Sequence, residues 1–93
     1  MAVLTDSEIQ QVLGSLPGWQ RQGKAIQRIF EFPDFNAAME FVNKIADAAE
    51  QANHHPDILV HGWNKVRLSL TNHSAGGLTE PDFEMAKRFD ALG

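Results

Sequence analysis

The segment from Lys65 to Thr71 constrains the fold of this chain more than any other. Val66, Leu68 and Leu70 alternate without a fault with Lys65, Arg67, Ser69 and Thr71. Successive side chains of a strand point to opposite faces, so this segment is a strand that buries one face and wets the other. A second strand pair stands earlier in the chain. Gln20 to Gln22 and Ala25 to Phe32 flank Gly23-Lys24, which reads as a hairpin connection. Ile26, Phe30 and Phe32 share one parity, and Arg28 intrudes on that apolar set. Ile58, Leu59 and Val60 form a short apolar run before the turn Gly62-Trp63-Asn64, which leads into the Lys65 segment.

Three helical stretches punctuate these strands. Thr5-Asp6-Ser7-Glu8 is a capping box, followed by the apolar face Ile9, Val12 and Leu13 and a stop at Gly14. Leu16-Pro17-Gly18-Trp19 is a turn that delivers a tryptophan to the first strand. Asp34 caps a long helix ending near Asn53, with Phe35, Ala38, Met39, Val42, Ile45, Ala46 and Ala49 on one face. Phe41, Ala48 and Ala52 make a second, weaker stripe, which we assign to contact with another subunit. Thr79-Glu80-Pro81-Asp82 opens the last helix, whose buried side is Phe83, Ala86 and Phe89. The order αββαββα implies an α+β fold, a four-stranded antiparallel sheet with three helices on one face. Residues 1–93 read as a single domain, with no repeat, linker or low-complexity tract.

Composition narrows the function classes. With 43% hydrophobic and 22% charged residues the chain is not of the disordered type. It has no cysteine, which removes disulfides, thiolate metal sites and cysteine nucleophiles together and suits a cytoplasmic setting. A formal net charge of −4, without clustered Lys and Arg, argues against binding nucleic acid directly. Met1-Ala2-Val3-Leu4-Thr5-Asp6 has neither a basic region nor a long apolar run, so we expect no signal peptide and no membrane span. A small core and the open edges of a four-stranded sheet predict a homo-oligomer, a homodimer or homotetramer.

The ionisable chemistry concentrates in Glu50-Gln51-Ala52-Asn53-His54-His55-Pro56-Asp57. Pro56 disfavours helical geometry at His55, so the histidine pair lies where the long helix stops. A helix C-terminus favours a protonated imidazole. Glu50, four residues before His54, is expected on the same helical face, where its carboxylate would orient that ring. His73 stands in the small-residue loop Asn72–Gly77, and His61 matches no pattern, so we place it at the surface.

Glu50-x3-His54-His55-Pro56, the aromatic Trp63, His73 and the later Asp82 together resemble the signature of the pterin-4a-carbinolamine dehydratases. The Pro17-Gly18-Trp19 turn and Gly77-Leu78-Thr79 are similar too, so the resemblance covers nearly the whole chain. Two departures stand out: Asn53 lies where many relatives carry an acid, and Pro56 to Trp63 is one residue longer than in the animal enzymes. The resemblance implies a similar fold and dehydration of 4a-hydroxytetrahydropterin to quinonoid dihydropterin, the step that recycles tetrahydrobiopterin for aromatic amino-acid hydroxylation. It implies no metal and no cofactor.

Such a dehydration needs one proton delivered to the leaving hydroxyl and one removed from a ring nitrogen, work suited to groups titrating near neutrality. By resemblance, His54 and His73 are the acid–base pair; the helix end and Glu50 one turn back point to His54 as the acid. His55 positions substrate, Glu50 orients the site, and Trp19 and Asp82 are candidate pterin contacts. Trp63 is expected to pack, and Asp82 also has a simple reading as a helix cap. Two rivals stand beside this one. His54, His55, His73 and Glu50 are all legitimate zinc ligands, but adjacent histidines at a helix end diverge and the chain lacks a His-x3-His pair. The other rival is a binding module. Animal relatives also dimerise a homeodomain transcription factor, so the protein partner is either a transcription regulator of that kind or the hydroxylase system.

Overall fold

A computed structural model describes residues 2–93. The elements follow the expected order: α1 (Asp6–Leu13), β1 (Gln20–Gln22), β2 (Ala25–Glu31), α2 (Phe35–Ala52), β3 (Asp57–His61), β4 (Lys65–Leu70) and α3 (Glu80–Leu92). The strands form one antiparallel sheet in the order β1-β2-β4-β3. β4, the cleanest alternating segment, is therefore an inner strand, and its apolar parity explains the core. Val66, Leu68 and Leu70 lie opposite Phe30, Arg28 and Ile26 of β2, while Val60 and Ile58 of β3 lie opposite Val66 and Leu68. Ile26, Val66, Leu68 and Leu70 are wholly buried under the helices. The opposite parity, including Ile29, Leu59 and Arg67, faces outward and is exposed.

Arg28 interrupts the apolar parity of β2 because its side chain is engaged on the core side. The guanidinium lies 4.4 Å from the centroid of the Phe30 ring and donates to Asp90 at 2.7 Å. Gly18, at φ +91°, leaves the space that this side chain occupies, for a Cβ there would stand 2.9 Å from Arg28 Nε. β2 and β4 each end one residue before their expected limits. Phe32 donates its N–H to Asn64 and accepts from the Asn64 amide, and Thr71 turns its hydroxyl to the Lys24 carbonyl.

α1 carries the expected capping box, with Glu8 accepting from the Thr5 N–H at 2.9 Å and Thr5 accepting from the Glu8 N–H at 3.2 Å. The Thr5 backbone and then its hydroxyl hold the Glu8 carboxyl below its ordinary range. A depressed carboxyl contributes stability that is present above its unfolded pKa and is lost as pH falls through the folded one.

α2 is rotated relative to its expected setting. Its buried residues are Ala38, Phe41, Ile45, Ala48 and Ala49, so Phe41 and Ala48 face the core and not a second subunit. The rings decide this. Phe41 packs against Phe30 and Phe32 with centroids 4.7 and 4.9 Å apart, and burial of one such side chain is worth about 2–3 kcal/mol. Phe35, from the set expected to be buried, is half exposed, and Ala46 is exposed. Among the described residues no helix is long and apolar enough to cross a membrane.

Candidate active site

Antiparallel register gathers the candidate residues at one end of the sheet. Asp57 lies opposite Ser69, so the link from α2 into β3 and the loop leaving β4 emerge side by side. Ile26 lies opposite Leu70, which brings the β1–β2 turn at Gly23-Lys24 to the same end. The start of α3 follows directly from the β4 loop.

At this end α2 stops in a left-handed turn at Asn53, φ 50° and ψ 43°. The Asn53 N–H bonds the Glu50 carbonyl at 3.2 Å and the His54 N–H bonds the Ala49 carbonyl at 3.0 Å, the paired bonds of a Schellman ending. Asparagine tolerates this backbone geometry better than most residues, which gives Asn53 a structural reason independent of charge. The reversal carries His54 off the helix face and under α3. There its Nε2 meets Asp82 Oδ1 at 2.6 Å. The His54 side chain is 17% exposed and that of Asp82 is fully buried. The second oxygen of Asp82 accepts from the Thr79 N–H at 2.8 Å and the Thr79 hydroxyl at 3.1 Å. Both carboxylate oxygens are thus committed inside the protein. Asp82 is closed to direct contact with a ligand and is placed to hold His54.

Glu50 does not reach His54. The left-handed turn removes the one-turn spacing on which that pairing depended, and Glu50 Oε1 instead meets His55 Nε2 at 2.5 Å. This second pair is open to solvent, with side chains 55% and 76% exposed. The adjacent histidines therefore differ in kind: one ring is anchored to a buried acid, the other paired with an exposed one.

His73 is exposed at the far side of the same end, on a loop tied by its neighbour. The Asn72 carbonyl accepts from the N–H groups of Gly76 and Gly77 at 2.9 and 3.2 Å, and the Asn72 side chain accepts from the Ala75 N–H at 2.9 Å. Sequence reasoning passed over Asn72, although an asparagine opening a Gly-rich loop is a known turn former. His54 and His73 each border a cavity. That of His54, about 590 Å³, is lined by Leu4, Ala52, Pro81 and Met85 with Glu80 and Glu84. That of His73, about 410 Å³, is lined by Lys24, Ala25, Thr71, Asn72 and Gly76.

Three residues fall elsewhere. Trp19 is buried, and its indole N–H donates to Asp90 at 2.9 Å. It precedes β1, at the opposite edge of the sheet from β3 and roughly 14 Å away by three strand spacings. The expected pterin contact is thus a core residue. Trp63, expected to pack, is 63% exposed at φ 60° in the β3–β4 turn, at the other end of that hairpin from His54. His61, expected at the surface, has its Nε2 enclosed without a hydrogen-bond partner among the described residues. Among those residues no three His, Asp or Glu side chains converge so that they could hold a metal ion.

The family model for pterin 4 alpha carbinolamine dehydratase matches residues 2–92. A protein of Acidobacterium capsulatum, provisionally named pterin-4-alpha-carbinolamine dehydratase, is 54% identical over 92 residues, covering 99% of both chains. Among solved structures, a transcriptional coactivator/pterin dehydratase from Brucella melitensis superposes with a TM-score of 0.91 at 39% identity, covering 97% of each chain. A pterin dehydratase-like protein, identified as a RuBisCO assembly factor in the alpha-carboxysome, superposes at 0.68 with 28% identity, covering 81% of this chain and 88% of its own.

Proposed function

Because the chain belongs to the pterin-4a-carbinolamine dehydratase family, we propose that it removes water from a 4a-hydroxytetrahydropterin to give quinonoid dihydropterin. The observation that carries this reading is the His54–Asp82 pair, a partly open imidazole fixed by a buried carboxylate at the sheet end that also bears His73. Asp82 accepts from Nε2–H, which leaves Nδ1 of His54 as the nitrogen that gives its proton to the 4a-hydroxyl as the C4a–O bond breaks. His73 takes the proton from N5 as the C4a=N5 bond forms. Water leaves, and the product carries neither the oxygen nor that proton. His55, steered by Glu50, contacts the substrate without exchanging protons. Asp82 is a positioning residue and Trp19 has no part in binding. The step calls on no metal and no cofactor.

The test is the decay of 4a-hydroxytetrahydropterin, generated in place by a hydroxylase and corrected for spontaneous loss. Accelerated decay proportional to enzyme is expected; no acceleration at micromolar protein removes the reading. A second reading is a binding role, favoured by relatives described as a coactivator and as an assembly factor. It predicts that loss of His54 and His73 leaves the function in cells intact. Under either reading the protein works as a homodimer or larger assembly.

A further inference from the structure

The two cavities at the site end differ in charge. The His54 cavity carries Glu80 and Glu84, one turn apart on α3, and no basic side chain other than the histidine. The His73 cavity has no carboxylate in its lining and has Lys24 at its wall. Among the described residues the ion pairs do not involve Lys24, so its ammonium is uncommitted. Its backbone is nevertheless fixed, because the Thr71 hydroxyl donates to the Lys24 carbonyl at 2.5 Å and ties the β1–β2 turn to the strand that leads to His73. Across the end of the sheet the order is His54, His73, Lys24, following β3, β4 and β2.

A pterin has a matching polarity. Its pyrimidine edge presents the 2-amino group and N3–H, donors that suit carboxylates, and its C6 substituent lies next to N5 on the other side. If His54 serves the 4a-hydroxyl and His73 serves N5, the C6 substituent falls beyond His73, towards Lys24. We propose that Lys24 is a specificity-determining residue that donates a hydrogen bond to the C6 substituent and selects pterins whose C6 chain carries acceptor oxygens. The dihydroxypropyl chain is the chemistry it fits, and a C6 methyl offers it nothing. This rests on the dehydratase reading for the orientation of the ring.

The experiment compares wild type, Lys24→Met and Lys24→Arg on two substrates, the 4a-hydroxytetrahydropterins bearing a C6 dihydroxypropyl or a C6 methyl group. Calorimetric binding of the corresponding 7,8-dihydropterins is measured in parallel. The side chain is exposed and the turn is held through its carbonyl, so both variants are expected to fold, which circular dichroism checks. Lys24→Met should raise KM and Kd for the dihydroxypropyl compounds roughly five- to twenty-fold, as loss of one partly solvated charged hydrogen bond does, with kcat nearly unchanged. The methyl compounds should change less than about two-fold, and Lys24→Arg should restore the discrimination. Equal effects on both compounds, or none on either, would overturn the proposal. A wild type that shows no turnover but binds the dihydroxypropyl compound in a Lys24-dependent way would remove the dehydratase reading and leave the Lys24 subsite standing.

Discussion

At the scale of single residues, two adjacent histidines acquire different work from one backbone reversal. His54 has a fully buried acid behind it, while His55 shares a solvated pair with Glu50, and exposed pairs of that kind contribute little to stability. His54→Ala and His73→Ala are each expected to lower turnover by roughly 10²–10⁴-fold, less where water substitutes, and the double variant by less than the product. His55→Ala should act on KM. Asp82→Ala should act twice. It frees the His54 ring and strands the buried Thr79 N–H, so it should cost about 2–3 kcal/mol of stability in addition to turnover. Asp82→Asn keeps an acceptor for one of these groups and should recover most of the stability but little of the rate. Urea titration and carbinolamine decay on the same samples separate the two effects. Stability and rate recovering together in Asp82→Asn would leave that residue a purely structural role.

At the scale of elements, the ends proved more informative than the middles. Periodicity, caps and turn residues together placed each helix and strand in order, because alternation, three-four spacing and capping are local properties of the chain. It misjudged which stripe of α2 is buried. The ring cluster of Phe30, Phe32 and Phe41 decides that, and these residues lie on separate elements. The partner of His54 was missed for a similar reason. Helical spacing pointed to Glu50, whereas a left-handed residue at the helix end redirects the ring to an acid 28 positions later. That turn makes a prediction. Asn53→Ala should cost about 1 kcal/mol, because a Cβ without a polar group is disfavoured in left-handed backbone, while Asn53→Gly should be nearly neutral. Since His54 is aimed by this turn, Asn53→Ala should also reduce turnover more than its stability loss explains. Equal Tm values for the two variants would remove Asn53 from the account of the site.

At the scale of the whole molecule, one face and the sheet edges are left to be explained. The helices cover only the inner face of the sheet, and the order β1-β2-β4-β3 leaves β3 with one side of its backbone unpaired. Leu59 is 44% exposed, Ile58 37% and Ile29 52%. An open edge beside apolar residues is a site of strand pairing unless it is covered. A second copy of the chain fits it. If β3 pairs antiparallel with itself about Leu59, Asp57 falls opposite His61 of the partner subunit, and the two residues share a face because they stand four apart in a strand. We propose that the subunit contact lies at this sheet edge, since Phe41 and Ala48 of the second α2 stripe are claimed by the core. Light scattering after size exclusion should give at least a dimer across micromolar concentrations, and Leu59→Lys should shift it to monomer without loss of secondary structure. Asp57→Lys should weaken association and Asp57→Lys combined with His61→Asp should restore part of it, since the exchange sets an acid opposite each lysine across the axis. A wild type that stays monomeric throughout that range leaves the edge uncovered and overturns the assembly; a dimer indifferent to Leu59 and Asp57 places the contact elsewhere.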